Sequence, residues 1–248
     1  MMRLVFRIAS LCALLLLAVI YATGSVLKII YVLNARRAEN ILQDVRILRV
    51  EESTTGDVQR SVRKYGGDEC RGCSVSPGCP SPDMSYYVAA TNVPLNSLAM
   101  RFPRLWFATR PRGVVAEFLL KEGRLCYLDF SVGNYVARHD WPLDVTGIMI
   151  PEGVGFPPSS DGTLEAGGKV YKLDAYVTPD APLEDRQKAF AFDLSCLSRF
   201  DGCRTACELL PSAWLDWQTR GYASPEDMNP PWCDKSTARR LVARASTL

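Results

Sequence analysis

VVAEFLLKEGRLCYLDFSV, residues 114–132, consists of two alternating apolar runs around a polar turn. Strict alternation over such lengths is the pattern of a half-buried strand. Val114, Ala116, Phe118 and Leu120 share one face of the first run; Cys126, Leu128, Phe130 and Val132 share one face of the second. In an antiparallel pair, opposed residues point the same way. This predicts Phe118 opposite Cys126 and Leu120 opposite Arg124. The loop is then Lys121-Glu122-Gly123, a type I turn closed by a left-handed glycine. The other face carries Val115, Glu117, Leu119, Tyr127 and Asp129, a mixture that predicts partial cover at most.

Further strands are expected over Ser85–Thr91, Leu98–Thr109 (broken by Pro103), Lys169–Val177 and Ala189–Leu194. Residues 134–168 are rich in Pro and Gly and predict loops. Upstream, Asn34–Leu48 has apolar residues at helical spacing: Ala35, Ala38, Ile41, Leu42, Val45 and Leu48. Thr54 with Asp57 three residues later is a capping box. It opens a helix whose Val58, Val62 and Tyr65 fall on one face, and Gly66-Gly67 stops it. The first is expected to continue the apolar amino-terminal helix outward, and the two form a short pair near a membrane.

The membrane is inferred from the amino terminus. Ile8 to Leu27 is a run of 20 residues without a charge. At 1.5 Å per residue it spans a hydrocarbon core of about 30 Å. Lys28 interrupts the run, and Ile29–Leu33 continue it; a lysine there is expected to snorkel to the headgroups. A cleaved signal peptide ending at Ala22-Thr23-Gly24 also fits, but apolar sequence beyond Gly24 favours an uncleaved signal-anchor. Arg3 and Arg7 precede the run, while Lys28, Arg36 and Arg37 follow it. Long carboxyl-terminal domains translocate largely regardless of such counts, so the amino terminus is placed in the cytoplasm and the body outside it.

The chain has 248 residues, nine Cys, one His and a formal net charge of +2. That balance argues against an extended electrostatic footprint for nucleic acid. The 23% of charged residues is ordinary for a globular chain and argues against wholesale disorder. Cys12 lies in the apolar run. The other eight suit a disulfide framework in an oxidising compartment. Cys70, Cys73 and Cys79 form one cluster; Cys196, Cys203, Cys207 and Cys233 form another. Cys126 stands alone in a strand and fits a buried free thiol. Two alternatives use the first cluster. Cys70-Arg71-Gly72-Cys73 is a C-x-x-C of the thiol-disulfide oxidoreductase kind, although its setting reads as a loop instead of a helix start. Cys70, Cys73 and Cys79 could also hold zinc with a thiolate from the second cluster.

No catalytic residue, cofactor or resident metal is expected. His139-Asp140 are adjacent and lack the G-x-S-x-G context of a hydrolase. Gly162–Lys169 fails the spacing of a phosphate-binding loop, because Gly168 occupies the lysine place. Lys235, Arg239, Arg240 and Arg244 read as a solvated end.

Leu48, Val50, Thr54, Val58 and Gly66 give this stretch a resemblance to the amino-terminal helices of the SmpA/OmlA type of outer-membrane assembly lipoprotein. Glu51 stands where that pattern has glycine. The resemblance covers about 20 residues and implies a layout of two helices packed on one antiparallel sheet.

The expectation is an α+β chain in four parts. Residues 1–33 are the cytoplasmic terminus and transmembrane signal-anchor, with 8–33 in contact with lipid. Residues 34–67 are the juxtamembrane helical pair and 68–190 the antiparallel β-rich domain. Residues 191–248 are a Cys- and Trp-containing segment packed on it. The expected function is a non-enzymatic binding or scaffolding module of a bacterial envelope, single-pass in the inner membrane, with an envelope protein as partner.

Overall fold

The computed structural model describes residues 2–69, 79–92, 112–136, 154–155, 158–163, 169–177, 190–200, 202–203 and 206–209, with isolated positions at 95, 179, 239–240 and 243. The strand expected over Leu98–Thr109 lies outside them, as does His139.

Helix α1 runs unbroken from Met2 to Ile47, about 70 Å at helical rise. The helix expected over Asn34–Leu48 is therefore its continuation. Leu27, Tyr31, Ala38, Ile41, Leu42 and Val45 are buried along one stripe. Helix α2, Thr55–Tyr65, is opened by the expected capping box. Thr54 accepts from the Asp57 amide, and the Asp57 carboxylate accepts from the Thr54 amide at 3.0 Å. Gly66 closes it in the left-handed conformation, and Val58 and Val62 are buried. α2 folds back along α1: Lys64 pairs with Asp44 at 2.9 Å and the Tyr65 hydroxyl donates to the Asn40 carbonyl at 2.8 Å. The pair thus sits along the upper part of α1, beyond Leu33.

The sheet is antiparallel throughout. Its strands are β1 (Asp68–Glu69), β2 (Met84–Thr91), β3 (Arg112–Lys121), β4 (Arg124–Val136), β5 (Val154–Gly155), β6 (Pro158–Thr163) and β7 (Lys169–Val177). The order is β1-β2-β3-β4-β7-β5, with β6 also on the outer edge of β7. β7 has the expected bounds. The loops expected over 134–168 are corrected in part: β4 extends to Val136, and β5 and β6 line β7.

The β3–β4 hairpin forms in a different register. Lys121 pairs with Arg124, and Phe118 with Leu128 instead of Cys126. Glu122 and Gly123 both take positive φ, 53° and 77°. They form a two-residue type I′ turn, whose twist matches the strands better than a type I turn does. The register then slips between Leu119 and Leu120, leaving Cys126 as the extra residue of a bulge. The core face is as expected: Val114, Ala116, Phe118, Leu120, Leu128, Phe130 and Val132 are buried. Leu125, not Cys126, completes it opposite Leu120. On the other face Ser85, Leu119, Asp129 and Ser131 are buried too, so part of that face is covered.

The core lies between the sheet and a layer made by α1, α2 and residues 190–197. That is the two-helix layout implied by the resemblance. Ala189–Leu194 is not a strand in its described part. Phe190, Phe192 and Leu194 alternate inward as a strand would. Yet the carbonyls of Phe190 and Phe192 accept from the Arg46 guanidinium of α1, at 2.9 and 3.1 Å, and the Asp193 amide donates to Leu209, in helix α3 (Ala206–Leu209). These partners stand in place of a strand ladder.

Candidate functional site

Two regions of α1 differ in kind. From Phe6 to Tyr21 its large apolar side chains are exposed all round. From Leu27 onward one stripe is buried in the domain. The helix is long and apolar enough to cross a bilayer. The boundary between the regions is the candidate site.

At this boundary a short turn of the carboxyl-terminal segment meets α1 and the start of β3. Residues Ser195–Ser198 form a 3-10 turn, and Cys196 is disulfide-bonded to Cys203. The closed loop exposes four consecutive carbonyls, and two cations from distant elements cover them. Lys28 of α1 donates to the Ser198 carbonyl at 2.6 Å. Arg112, at the start of β3, donates to the carbonyls of Leu197 (2.9 Å), Arg199 and Phe200 (2.8 Å). Arg112 is 6% exposed, and its guanidinium stacks 3.8 Å above the Tyr31 ring. Phe200 meets Tyr31 edge-on at 6.2 Å, and the Lys28 ammonium lies 5.8 Å from the Phe200 ring. Arg199 turns its own guanidinium to Gly202 and to Glu208 at 2.7 Å. Buried cations are tolerated when their donors are matched, and here the matched acceptors are main-chain oxygens of one stapled loop.

The Lys28 ammonium is thus engaged by protein, at the Ser198 carbonyl. The segment of α1 free of protein is shorter too, because Leu27 and Tyr31 belong to the domain. The sequence offered no periodic signal for Arg112. It follows Pro111 and precedes Gly113, where a single charge reads as a solvated strand end.

The second described disulfide joins Cys79 to Cys126. Cys126 is thus not the free thiol expected for it. The bulge takes it out of the core-facing row and so allows the bond to a buried Cys79 outside the hairpin. A disulfide sulfur is not a thiolate, so Cys79 is no zinc ligand in this state. Cys12 is free and exposed on α1. Cys70, Cys73 and Cys233 lie outside the described residues; Cys207 lies in α3, with its side chain outside them. No cluster of three His, Cys, Asp or Glu residues suits a metal ion among the described residues.

A groove of about 550 Å³ lies at the far end of α1, lined by residues that include Asp44, Ile47, Arg49, Glu52, Arg60 and Lys64. Its charges pair among themselves: Lys64 with Asp44, Arg49 with Glu52 at 3.5 Å, Arg60 with Asp57 at 3.4 Å. Hydrogen bonds to Tyr65 and Asp44 hold the Lys64 ammonium above its ordinary value. The pairing describes a surface that balances its own charge. Comparison with known protein families, with curated proteins and with solved structures finds no match to this chain.

Proposed function

We propose that this protein is a single-pass, membrane-anchored exported module of a bacterial envelope, inserted in the inner membrane with its carboxyl-terminal domain outside the cytoplasm. Its role is to bind or scaffold a partner protein, without chemistry of its own. The observation that carries the reading is that one unbroken helix has two kinds of surface. Its uncharged run, Ile8–Leu27, exposes large apolar side chains, and its later part contributes Ala38, Ile41, Leu42 and Val45 to the core. A domain built on its own anchor moves with it as one body and stays close to the lipid, which suits presentation of a surface. Two disulfides support an oxidising compartment.

The test is a topology reporter fused to the carboxyl terminus of the full chain. Signal from an extracytoplasmic reporter is expected. Signal from a cytoplasmic one overturns the export and the disulfide argument together.

A further inference from the structure

The geometry points to a second contact with lipid: the stapled loop carrying Phe200 rests in the headgroup region of the bilayer, level with Ile29 and Leu33 on the opposite side of α1. This rests on the reading that α1 spans the membrane, and names which part of the domain the bilayer touches.

The depth follows from α1 itself. The uncharged run Ile8–Leu27 fills a hydrocarbon core of about 30 Å, and the polar zone beyond it is about 5–8 Å thick on each side. Residues 28–33 rise about 8 Å along the helix axis through that zone. The exposed face of α1 agrees. Ile29 and Leu33 are exposed apolar residues, and beyond them the outward positions are Arg36, Arg37, Asn40 and Gln43. The next large apolar residue exposed on α1 is Ile47. Apolar character on the uncovered side therefore stops where the interface zone ends.

The other side of this same stretch is covered by the loop. Ser198 is bonded to Lys28, and Phe200 packs on Tyr31, so both sit at the level of the headgroups. Phe200 nevertheless keeps 39% of its surface uncovered. Its ring lies at a depth where an aromatic side chain is favoured by lipid. The carbonyls of 197–200 are covered by Lys28 and Arg112, so the loop lies at the edge of the acyl region without turning bare main-chain oxygens toward it.

The experiment places the photo-crosslinker p-benzoylphenylalanine at Ile20, Phe200 or Ile47, one at a time. The full chain is reconstituted in vesicles of phosphatidylcholine with a minor share of phosphatidylglycerol, and lipid adducts are read by mass spectrometry after irradiation. Adducts are expected at 20 and 200, with loss to background at 47, which is a similarly apolar exposed site about 40 Å from Ile20 along α1. Adducts at 20 without 200 overturn the loop contact and leave the span standing. Adducts absent at 20 overturn the span as well. Adducts at 47 as well as 200 overturn the stated depth. The unmodified chain gives a second readout, in vesicles containing a lipid with a diazirine near the glycerol. Label on the peptide bearing Phe200 is expected, and its absence alongside label on the Ile20 peptide overturns the contact.

Discussion

The Arg112 guanidinium lies 3.8 Å above the Tyr31 ring, joining the first residue of a central strand to the long apolar helix. The same guanidinium covers three carbonyls of the loop closed by Cys196 and Cys203. Three segments remote in sequence thus share one cation.

Replacing it leaves buried oxygens without donors, which costs more than the bonds themselves contribute. Arg112→Met is expected to lower stability by about 3 kcal/mol. Arg112→Lys recovers only part, because an ammonium lacks the planar fork that reaches several acceptors. Tyr31→Leu loses the stacking, the hydroxyl's hydrogen bond with Arg112 and the edge-on contact with Phe200, about 2 kcal/mol together. Denaturant unfolding in a fixed detergent, followed by tryptophan emission, ranks the three.

The two staples differ in the chain they constrain. Cys79 and Cys126 are 47 residues apart, Cys196 and Cys203 only 7. Loop-closure entropy predicts about 4 kcal/mol from the first and about 2 kcal/mol from the second. Paired Cys→Ser variants, melted side by side without reductant, are expected to fall in that order. Non-reducing peptide mapping is expected to recover both linked pairs.

The capping box gives α2 an acid-sensitive start. Hydrogen bonds from the backbone and the hydroxyl of Thr54 hold Asp57 below its ordinary value of 3.8. A carboxyl whose folded value is depressed favours the fold fully above its unfolded value and loses that contribution as pH falls through the folded one. The start of α2 is therefore expected to loosen below about pH 4. Amide exchange at residues 55–58 measures this. Asp57→Asn should flatten the dependence, and Thr54→Ala should cost about 1 kcal/mol at neutral pH.

The hairpin turn holds Glu122 in a left-handed conformation that L-residues other than Gly, Asn and Asp avoid. Glu122→Asn is expected to stabilise the protein by about 0.5–1 kcal/mol, and Gly123→Ala to destabilise it by about 1–2 kcal/mol. Thermal melting of both variants against the parent reads the opposite signs.

The strands and the core face were legible because alternation survives a change of register: Phe118 faces inward whether it meets Cys126 or Leu128. The register was not legible. Lys-Glu-Gly-Arg suits a three-residue loop with one left-handed residue, and only the twist of the paired strands draws Glu122 into a second. Nothing in Leu-Cys-Tyr announces a bulge, and so the partner of Cys126 stayed hidden. Residues 190–194 misled in the opposite way. Their alternation is real, but Arg46 supplies the donors that a neighbouring strand would have supplied. Helix α1 and the cap of α2 were legible because both depend on local chemistry. The grip of Lys28 and Arg112 on residues 197–200 was not, because it joins positions up to 170 apart.

If α1 spans a bilayer as proposed, its unbroken course from the apolar run into the core leaves no joint to absorb movement. A bilayer thinner than the apolar run makes a span lean. With α1 continuous to Ile47, that lean passes undiminished to the sheet, and the tip of the β3–β4 hairpin swings sideways through an arc set by its distance from the lipid. Local membrane thickness would in this way be converted into the direction in which the domain points.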